Sequence, residues 1–180
     1  MDDELGFNEF YVASFQRLVG QVYAMTGSLA ESEDAVQEAC ARAWQRWNKV
    51  AGYGDPEAWV RTVAYRITVS SWRKSRNRLV AHRSLERAQV LPGLSPDHLA
   101  LLSALRRIPA EQRRAIVLHH LVGLSVGEIA EETAVSTGTV KARLARGRRA
   151  LAPHVSEFAE APPNADAMQS LPHHRAGREE

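Results

Sequence analysis

The chain has 180 residues, of which 44% are hydrophobic and 24% are charged, as is usual for a water-soluble globular protein. No apolar run reaches the roughly 18 residues of a membrane-spanning helix, and the acidic start Asp2-Asp3-Glu4 is unlike a secretory signal. Cys40 is the only cysteine, so no disulfide can form within the chain. These features predict a protein of the cytoplasm with no membrane insertion.

Charge is distributed unevenly along the chain. Residues 1–47 carry eight acidic and three basic side chains, whereas residues 59–87 carry one acidic and eight basic side chains. Residues 137–152 add five basic side chains and no acidic one. Such separation predicts different partners for different segments. Nucleic acid suits the basic segments, because released counterions drive its binding.

The first two predicted helices each carry one apolar stripe at helical spacing. The first stripe consists of Phe7, Tyr11, Phe15, Leu18, Val22 and Met25. Thr26-Gly27 ends that helix, and Ser28 with Glu31 predicts a capping box for the next one. The second stripe consists of Val36, Cys40, Ala43 and Trp47. The rest of the second helix surface holds Glu33, Asp34, Gln37, Glu38 and Arg42.

A third helix is predicted from about Glu57 to Lys74, after a turn at residues 51–55 that contains two glycines. Asp55 is its expected N-cap and Pro56 its first residue. The expected inward side chains are Val60, Val63, Ala64 and Ile67. A second stripe consists of Arg61, Tyr65, Thr68 and Trp72, to which Trp59, Arg66, Arg73 and Lys74 add.

Aromatic rings interleaved with cations favour contact with unpaired nucleic-acid bases. The rings stack on bases while the cations hold the backbone, and Tyr53 in the glycine turn is placed to line a pocket for an extruded base. An alternative remains open: Trp59 and Trp72 are equally suited to a protein core. The acidic side of the second helix also has an alternative interpretation, because an ordinary surface that only contacts water has the same composition.

After the third helix the apolar period fades, and the composition becomes basic up to Pro92-Gly93. New helical blocks begin at Ser95-Pro96 and Ile108-Pro109, and no strand pattern appears. The sequence therefore predicts an all-α fold. It comprises two small helical domains, residues 1–75 and 96–152, a flexible basic linker at 76–95 and a disordered tail at 153–180.

Residues 125–151 have the layout of a helix-turn-helix. Ser125 with Glu128 predicts a capping box, Val135 fills the corner, and Ser136 caps a last helix that ends at about Ala152. The core-facing positions of that helix are Val140, Leu144, Gly147 and Leu151. The opposite side holds Gly138, Ala142, Ala145, Arg146 and Arg149, flanked by Thr139 and Lys141. Small and basic side chains there suit the DNA major groove, although a solvated basic helix has the same composition.

Other functional classes lack their motifs. No phosphate-binding glycine loop or nucleophile elbow occurs, and the adjacent pairs His119-His120 and His173-His174 do not share a helix face. The sequence thus predicts no enzyme, no metal site and no cofactor. A helix-turn-helix regulator of the response-regulator or repressor type, binding duplex DNA without polymerase, is the alternative. The strands of a receiver domain are missing from the first 90 residues.

Several segments together resemble the extracytoplasmic-function (group 4) sigma factors. Residues 33–39 are similar to the polymerase-binding helix of that family, and residues 55–61 with 72–74 to its promoter-melting segment. Residues 105–109, 123–130 and 135–144 are similar to its −35-binding domain. The resemblance covers about residues 7–152 and implies a subunit that docks on RNA polymerase and reads promoter DNA.

The resemblance also implies site residues and partners. Contacts to the β′ clamp helices of core RNA polymerase fall to Asp34, Gln37, Glu38 and Arg42, and the second domain meets the β flap. The −10 element falls to Tyr53, Arg61, Tyr65, Arg66, Trp72, Arg73 and Lys74. The −35 element falls to Thr139, Lys141, Ala142, Arg143, Ala145, Arg146 and Arg149. An anti-sigma factor is a further expected partner.

Overall fold

The computed structural model describes residues 2–78 and 96–159, and all regular structure in these ranges is α-helical. The helices are α1 (Asp2–Thr26), α2 (Leu29–Trp44), α3 (Trp47–Val50), α4 (Pro56–Arg78), α5 (Pro96–Arg106), α6 (Ala110–His120), α7 (Val126–Thr133) and α8 (Thr137–Ala159). The predicted all-α class is confirmed. Most of the expected linker and tail, residues 79–95 and 160–180, lies outside the described residues. None of the described helices combines the length and apolar character of a membrane span.

Helices α1, α2 and α4 pack together as the first domain. The predicted stripes of α1 and α2 face its core, and α3 adds Trp47 and Val50. The fully buried side chains of this core include Leu18, Val22, Val36, Ala39, Val60 and Ala64. Aromatic rings extend the core toward the start of α1, where Phe7 lies 5.2 Å from Trp47 between ring centroids.

The residues predicted to begin and end the first-domain helices do so at some positions and not at others. Gly27 adopts a φ of +89° after α1, a conformation that favours glycine. The Asp55 side chain caps α4 by accepting a hydrogen bond from the Ala58 amide at 3.0 Å. The capping box predicted at Ser28 is wrong. Ser28 precedes α2, but its hydroxyl is buried and caps no amide, since the side chain is turned into the interior.

Helices α5 to α8 form the second domain. The buried side chains of its core include Leu105, Val117, Leu118, Ile129, Val140 and Leu144. Helices α8 and α6 approach each other closely at Gly147. A methyl group added there would lie 2.9 Å from Ile116 Cγ1 and 3.3 Å from the Gln112 carbonyl oxygen. The prediction that Val140, Leu144 and Gly147 face inward is therefore confirmed.

Helix α8 is longer than the sequence predicted. It continues through Pro153 to Ala159, so the expected end at Ala152 and disorder from residue 153 are wrong for residues 153–159. Proline inside a helix removes one backbone hydrogen bond and crowds the carbonyl four residues earlier, so the extension needs support from packing. Packing of α8 against α5 supports the extension, and His154 Nδ1 lies 3.5 Å from the Arg107 guanidinium.

Candidate polymerase and promoter interface

The exposed side of α2 is polar and firmly positioned. Asp34, Gln37, Glu38 and Arg42 are all exposed, as predicted, while the opposite side of the helix is buried against α1 and α4. Arg42 Nε donates to Glu38 Oε1 at 2.8 Å, one helical turn away. Both side chains are about half exposed, at 49% and 52%. This surface presents carboxylates and one paired cation to solvent and is suited to a polar protein partner.

The helix-turn-helix forms as the sequence predicted. Ser125 Oγ accepts from the Glu128 amide at 3.2 Å, and Glu128 Oε2 accepts from the Ser125 amide at 2.7 Å, which completes the capping box. Hydrogen bonding of the Glu128 carboxyl to the Ser125 side chain and to the Ser125 backbone lowers the pKa of that carboxyl. Ala134 makes the turn at a φ of 54°. Ser136 Oγ then accepts from the Thr139 amide at 3.2 Å and so caps α8.

The outward side of α8 is the candidate duplex-binding surface. It presents small and basic side chains to solvent, with Thr139, Lys141, Ala145, Arg146 and Arg149 exposed and Ala142 partly exposed. Arg143 is different, because its Nη2 pairs with Glu111 Oε2 on α6 at 2.8 Å. The surface therefore offers unobstructed cations at Lys141, Arg146 and Arg149.

The predicted −10 residues are divided between solvent and interior. Trp72 is 55% exposed and Tyr53 is 36% exposed, and Arg66 is also on the surface. Trp72 is therefore not a core residue, whereas Trp59 packs partly buried against the core. The side chains of Arg73 and Lys74 lie outside the described residues.

Arg61 is buried, with 1% of its surface exposed. Its Nη2 lies 2.7 Å from Glu132 Oε2 on α7, and its Nε lies 3.2 Å from Glu132 Oε1. Gln21 Oε1 accepts from Arg61 Nη1 at 3.3 Å, and Asp55 Oδ2 lies 3.9 Å from Arg61 Nη2. In this arrangement Arg61 joins the two domains and cannot reach DNA.

Tyr65, one turn further along α4, is buried at 6% exposure beneath the second domain. The Arg114 guanidinium of α6 lies over its ring, 4.0 Å from the centroid. Burial raises the pKa of the Tyr65 hydroxyl and lowers the pKa of Arg114. Sequence reasoning missed Arg114 and Glu132, because contacts with such distant positions leave no local pattern.

Family models match both domains. The model of sigma-70 region 2 matches residues 10–78, which contain α2 and α4. The model of sigma-70 region 4 matches residues 98–151, which contain the helix-turn-helix.

Curated relatives agree with these matches. The chain is 34% identical to the ECF RNA polymerase sigma factor SigL of Mycobacterium tuberculosis over 134 residues, covering 71% of this chain and 76% of SigL. It is 25% identical to SigG of the same species, covering 94% of this chain and 55% of that relative. It is 31% identical to BldN of Streptomyces coelicolor, covering 81% of this chain and 59% of BldN.

Solved structures show the same fold. The sigma factor RpoE of Bartonella quintana, in complex with the anti-sigma factor NepR, superposes with a TM-score of 0.72 at 22% identity, covering 84% of this chain and 97% of RpoE. CnrH, in complex with the cytosolic domain of CnrY, gives a TM-score of 0.60 at 20% identity, covering 86% of this chain and 90% of CnrH.

The matches confirm the expected family and do not favour the alternative of a regulator that acts without polymerase. The chain belongs to the ECF sigma factors of bacterial RNA polymerase, the subunits that direct transcription initiation.

Proposed function

We propose that three surfaces of this sigma factor divide the work of initiation. The α2 surface docks on core polymerase, α4 with its preceding turn captures the opened −10 strand, and α8 reads the −35 duplex. The observation that carries the proposal is the exposed basic side of α8, set on a capped helix-turn-helix whose other side is buried. Such a helix fits the DNA major groove.

Docking is assigned to Asp34, Gln37, Glu38 and Arg42, with the β′ clamp helices as the partner. All four are exposed on one helix whose opposite side is buried, so the helix holds them on a common surface before the partner arrives. Preorganised charges at an interface favour correct partners and repel wrong ones. The second domain meets the β flap in the same proposal.

The open strand is assigned to Tyr53, Arg66, Trp72, Arg73 and Lys74, with Arg61 and Tyr65 joining once they are uncovered. Trp72 supports this role because 55% of its surface is exposed. An exposed indole stacks on an unpaired base at a gain of about 1–3 kcal/mol.

The −35 duplex is assigned to α8. Arg146 and Arg149 reach base edges and phosphates, Lys141 and Thr139 flank them, and Ala142 and Ala145 allow close approach. Arg143 contributes to the same surface if its pair with Glu111 opens. The chain performs no covalent step in this scheme, since the polymerase makes the RNA.

An anti-sigma factor is a proposed partner as well, supported by the fold shared with RpoE, which was solved with the anti-sigma factor NepR. Core polymerase is cytoplasmic in bacteria, so we place the action of this chain in the cytoplasm. Core polymerase and promoter DNA complete the set of proposed partners.

The experiment compares Arg146→Ala with Trp72→Ala in holoenzyme on a cognate promoter. Arg146→Ala should weaken closed-complex formation by about 1–3 kcal/mol, since it removes a duplex contact. The complexes that do form should still open. Trp72→Ala should spare closed complexes and impair opening, because stacking helps only after bases leave the duplex. Filter binding measures the first effect, and permanganate footprinting measures the second.

Matched controls are Arg148→Ala on α8 and Trp44→Ala on α2, both of which remove an exposed side chain of the same type. They should behave as wild type in both assays. Equal duplex-binding defects and normal opening in both test variants would contradict the proposal, because they would make the chain resemble a conventional repressor.

A further inference from the structure

We infer that the buried ion pair Arg61–Glu132 holds the free chain in a closed form, in which the second domain covers the −10-reading side of α4. Promoter strand capture then requires the two domains to separate. The inference rests on the strand-capturing role proposed for α4, and the closing experiment tests the closed form and that role separately.

The pair has the geometry of a strong interaction. Glu132 accepts from both Nε and Nη2 of Arg61, at 3.2 Å and 2.7 Å, and the two side chains are 5% and 2% exposed. A guanidinium facing a carboxylate in this way is both oriented and strengthened by exclusion of water. The contact joins residues 71 positions apart, across the two domains.

The covering domain presents negative charge to the basic side of α4. A cleft between the domains is lined by Trp59 and Arg66 from α4 and by Glu128, Glu131 and Glu132 from α7. The Glu132 carboxylate occupies the N–H donors of Arg61 that a DNA phosphate would need. Carboxylate and phosphate oxygens both accept hydrogen bonds from the same guanidinium donors. Closure and strand binding therefore compete for one cation.

Two other arginines of the second domain support the closed form through contacts with the first domain near the end of α1. Arg113 Nε donates to the Met25 carbonyl at 2.7 Å, and Arg106 Nη2 donates to the Gly27 carbonyl and, at 3.0 Å, to the Tyr23 hydroxyl. Both donate to backbone carbonyls at or just after the C-terminal end of α1, where carbonyls lack partners within the helix. Polar contacts of this kind exchange with water more readily than an apolar interface, so domain separation is the expected motion.

Glu132→Gln is the sharpest probe, since it keeps the side-chain shape and removes only the charge. In the closed form it leaves the buried Arg61 charge with only the half-exposed Asp55 carboxylate, 3.9 Å from Nη2, as a counter-charge, while the open form hydrates Arg61. The balance therefore moves toward the open form. Glu131→Gln is the matched control, because Glu131 is the exposed neighbour on the same helix.

The first measurement is the reaction of Arg61 with phenylglyoxal in the full free chain, mapped by mass spectrometry. Exposed Arg66 in the same molecule serves as the reference. Arg61 should be modified slowly in wild type and in Glu131→Gln, and several-fold faster in Glu132→Gln. Energy transfer between dyes at Val12→Cys and Leu121→Cys, in a Cys40→Ala background, should fall only in Glu132→Gln.

Unchanged Arg61 protection together with unchanged energy transfer in Glu132→Gln would overturn the inference. A labelled single-stranded oligonucleotide carrying the −10 sequence separates it from the proposed function. Binding to the free chain should be several-fold tighter in Glu132→Gln and lost again on adding Trp72→Ala. If wild type binds this oligonucleotide as tightly as Glu132→Gln does, the second domain does not block strand binding by α4. If Arg61 is uncovered but no variant binds the strand, the closed form stands and the role of α4 is wrong.

Discussion

Cys40 shows what burial does to a single side chain in this protein. Cys40 is 2% exposed in the core of the first domain, and desolvation raises the pKa of its thiol to about 11. The thiolate is the reactive form, so neither access nor ionisation favours reaction in the folded state. We expect an aromatic disulfide reagent to leave Cys40 untouched at neutral pH until the first domain unfolds.

The same burial makes stability depend on pH. Because the folded pKa lies above the ordinary value, the neutral thiol contributes stability that is fully present below about pH 8.5 and is lost as pH rises through the folded pKa. Melting curves between these limits should show a larger decrease in Tm for wild type than for Cys40→Ala. Equal decreases in the two proteins would show that Cys40 does not carry this effect.

Arg61 and Trp72 mark the limit of sequence reasoning at the residue scale. Both fall on one predicted stripe of α4, yet Arg61 is 1% exposed and Trp72 is 55% exposed. The difference comes from α6 and α7, which cover one part of the stripe. The sequence predicted the chemical character of the stripe, but its exposure depends on a contact between domains.

At the scale of the element, Gly147 fixes how closely α8 approaches α6. Gly147→Ala should gain about 1 kcal/mol of helix propensity. It should lose more, because the new methyl group would meet Ile116 Cγ1 at 2.9 Å inside a packed core. Overpacking of this kind costs about 1–3 kcal/mol. Denaturant unfolding should therefore show a destabilised second domain.

Gly20→Ala provides the control for that measurement. Gly20 lies in the interior of α1, six residues before its last residue Thr26, and an added methyl group would meet nothing within 4 Å. The same substitution should there stabilise the first domain by about 0.5–1 kcal/mol. A stabilised Gly147→Ala would mean that the two helices move apart without loss.

Helix boundaries were predictable where the capping groups lie close in sequence. Ser125 and Glu128 form the expected capping box, since each needs only the other's amide. Ser28 has the same spacing to Glu31, yet its hydroxyl is buried and caps nothing. The end of α8 was missed for a related reason, because packing on α5 carries the helix past Pro153.

At the scale of the whole molecule, the charge asymmetry read from the sequence corresponds to surfaces that point outward. The acidic side belongs to α2 and the basic side to α8, and each is exposed. What the sequence did not predict is how the two domains contact each other. The hydrogen bonds between them join positions 71 to 88 residues apart, and such pairs leave no periodic pattern.

The acidic surface of α2 leads to a prediction about holoenzyme assembly. Glu38→Lys should leave the fold intact, because Glu38 is 52% exposed and loses only a surface pair with Arg42 worth about 0.3–0.5 kcal/mol. It should strongly weaken binding to core polymerase, since a reversed charge at a polar interface is repelled by the partner's groups. Affinity pull-down with core polymerase, with circular dichroism as the folding check, measures both effects.

Glu9→Lys reverses a charge that is also exposed, on α1, and should bind as wild type. If Glu38→Lys retains wild-type binding, the docking surface lies elsewhere. If Glu9→Lys weakens binding equally, net charge rather than the α2 surface governs assembly.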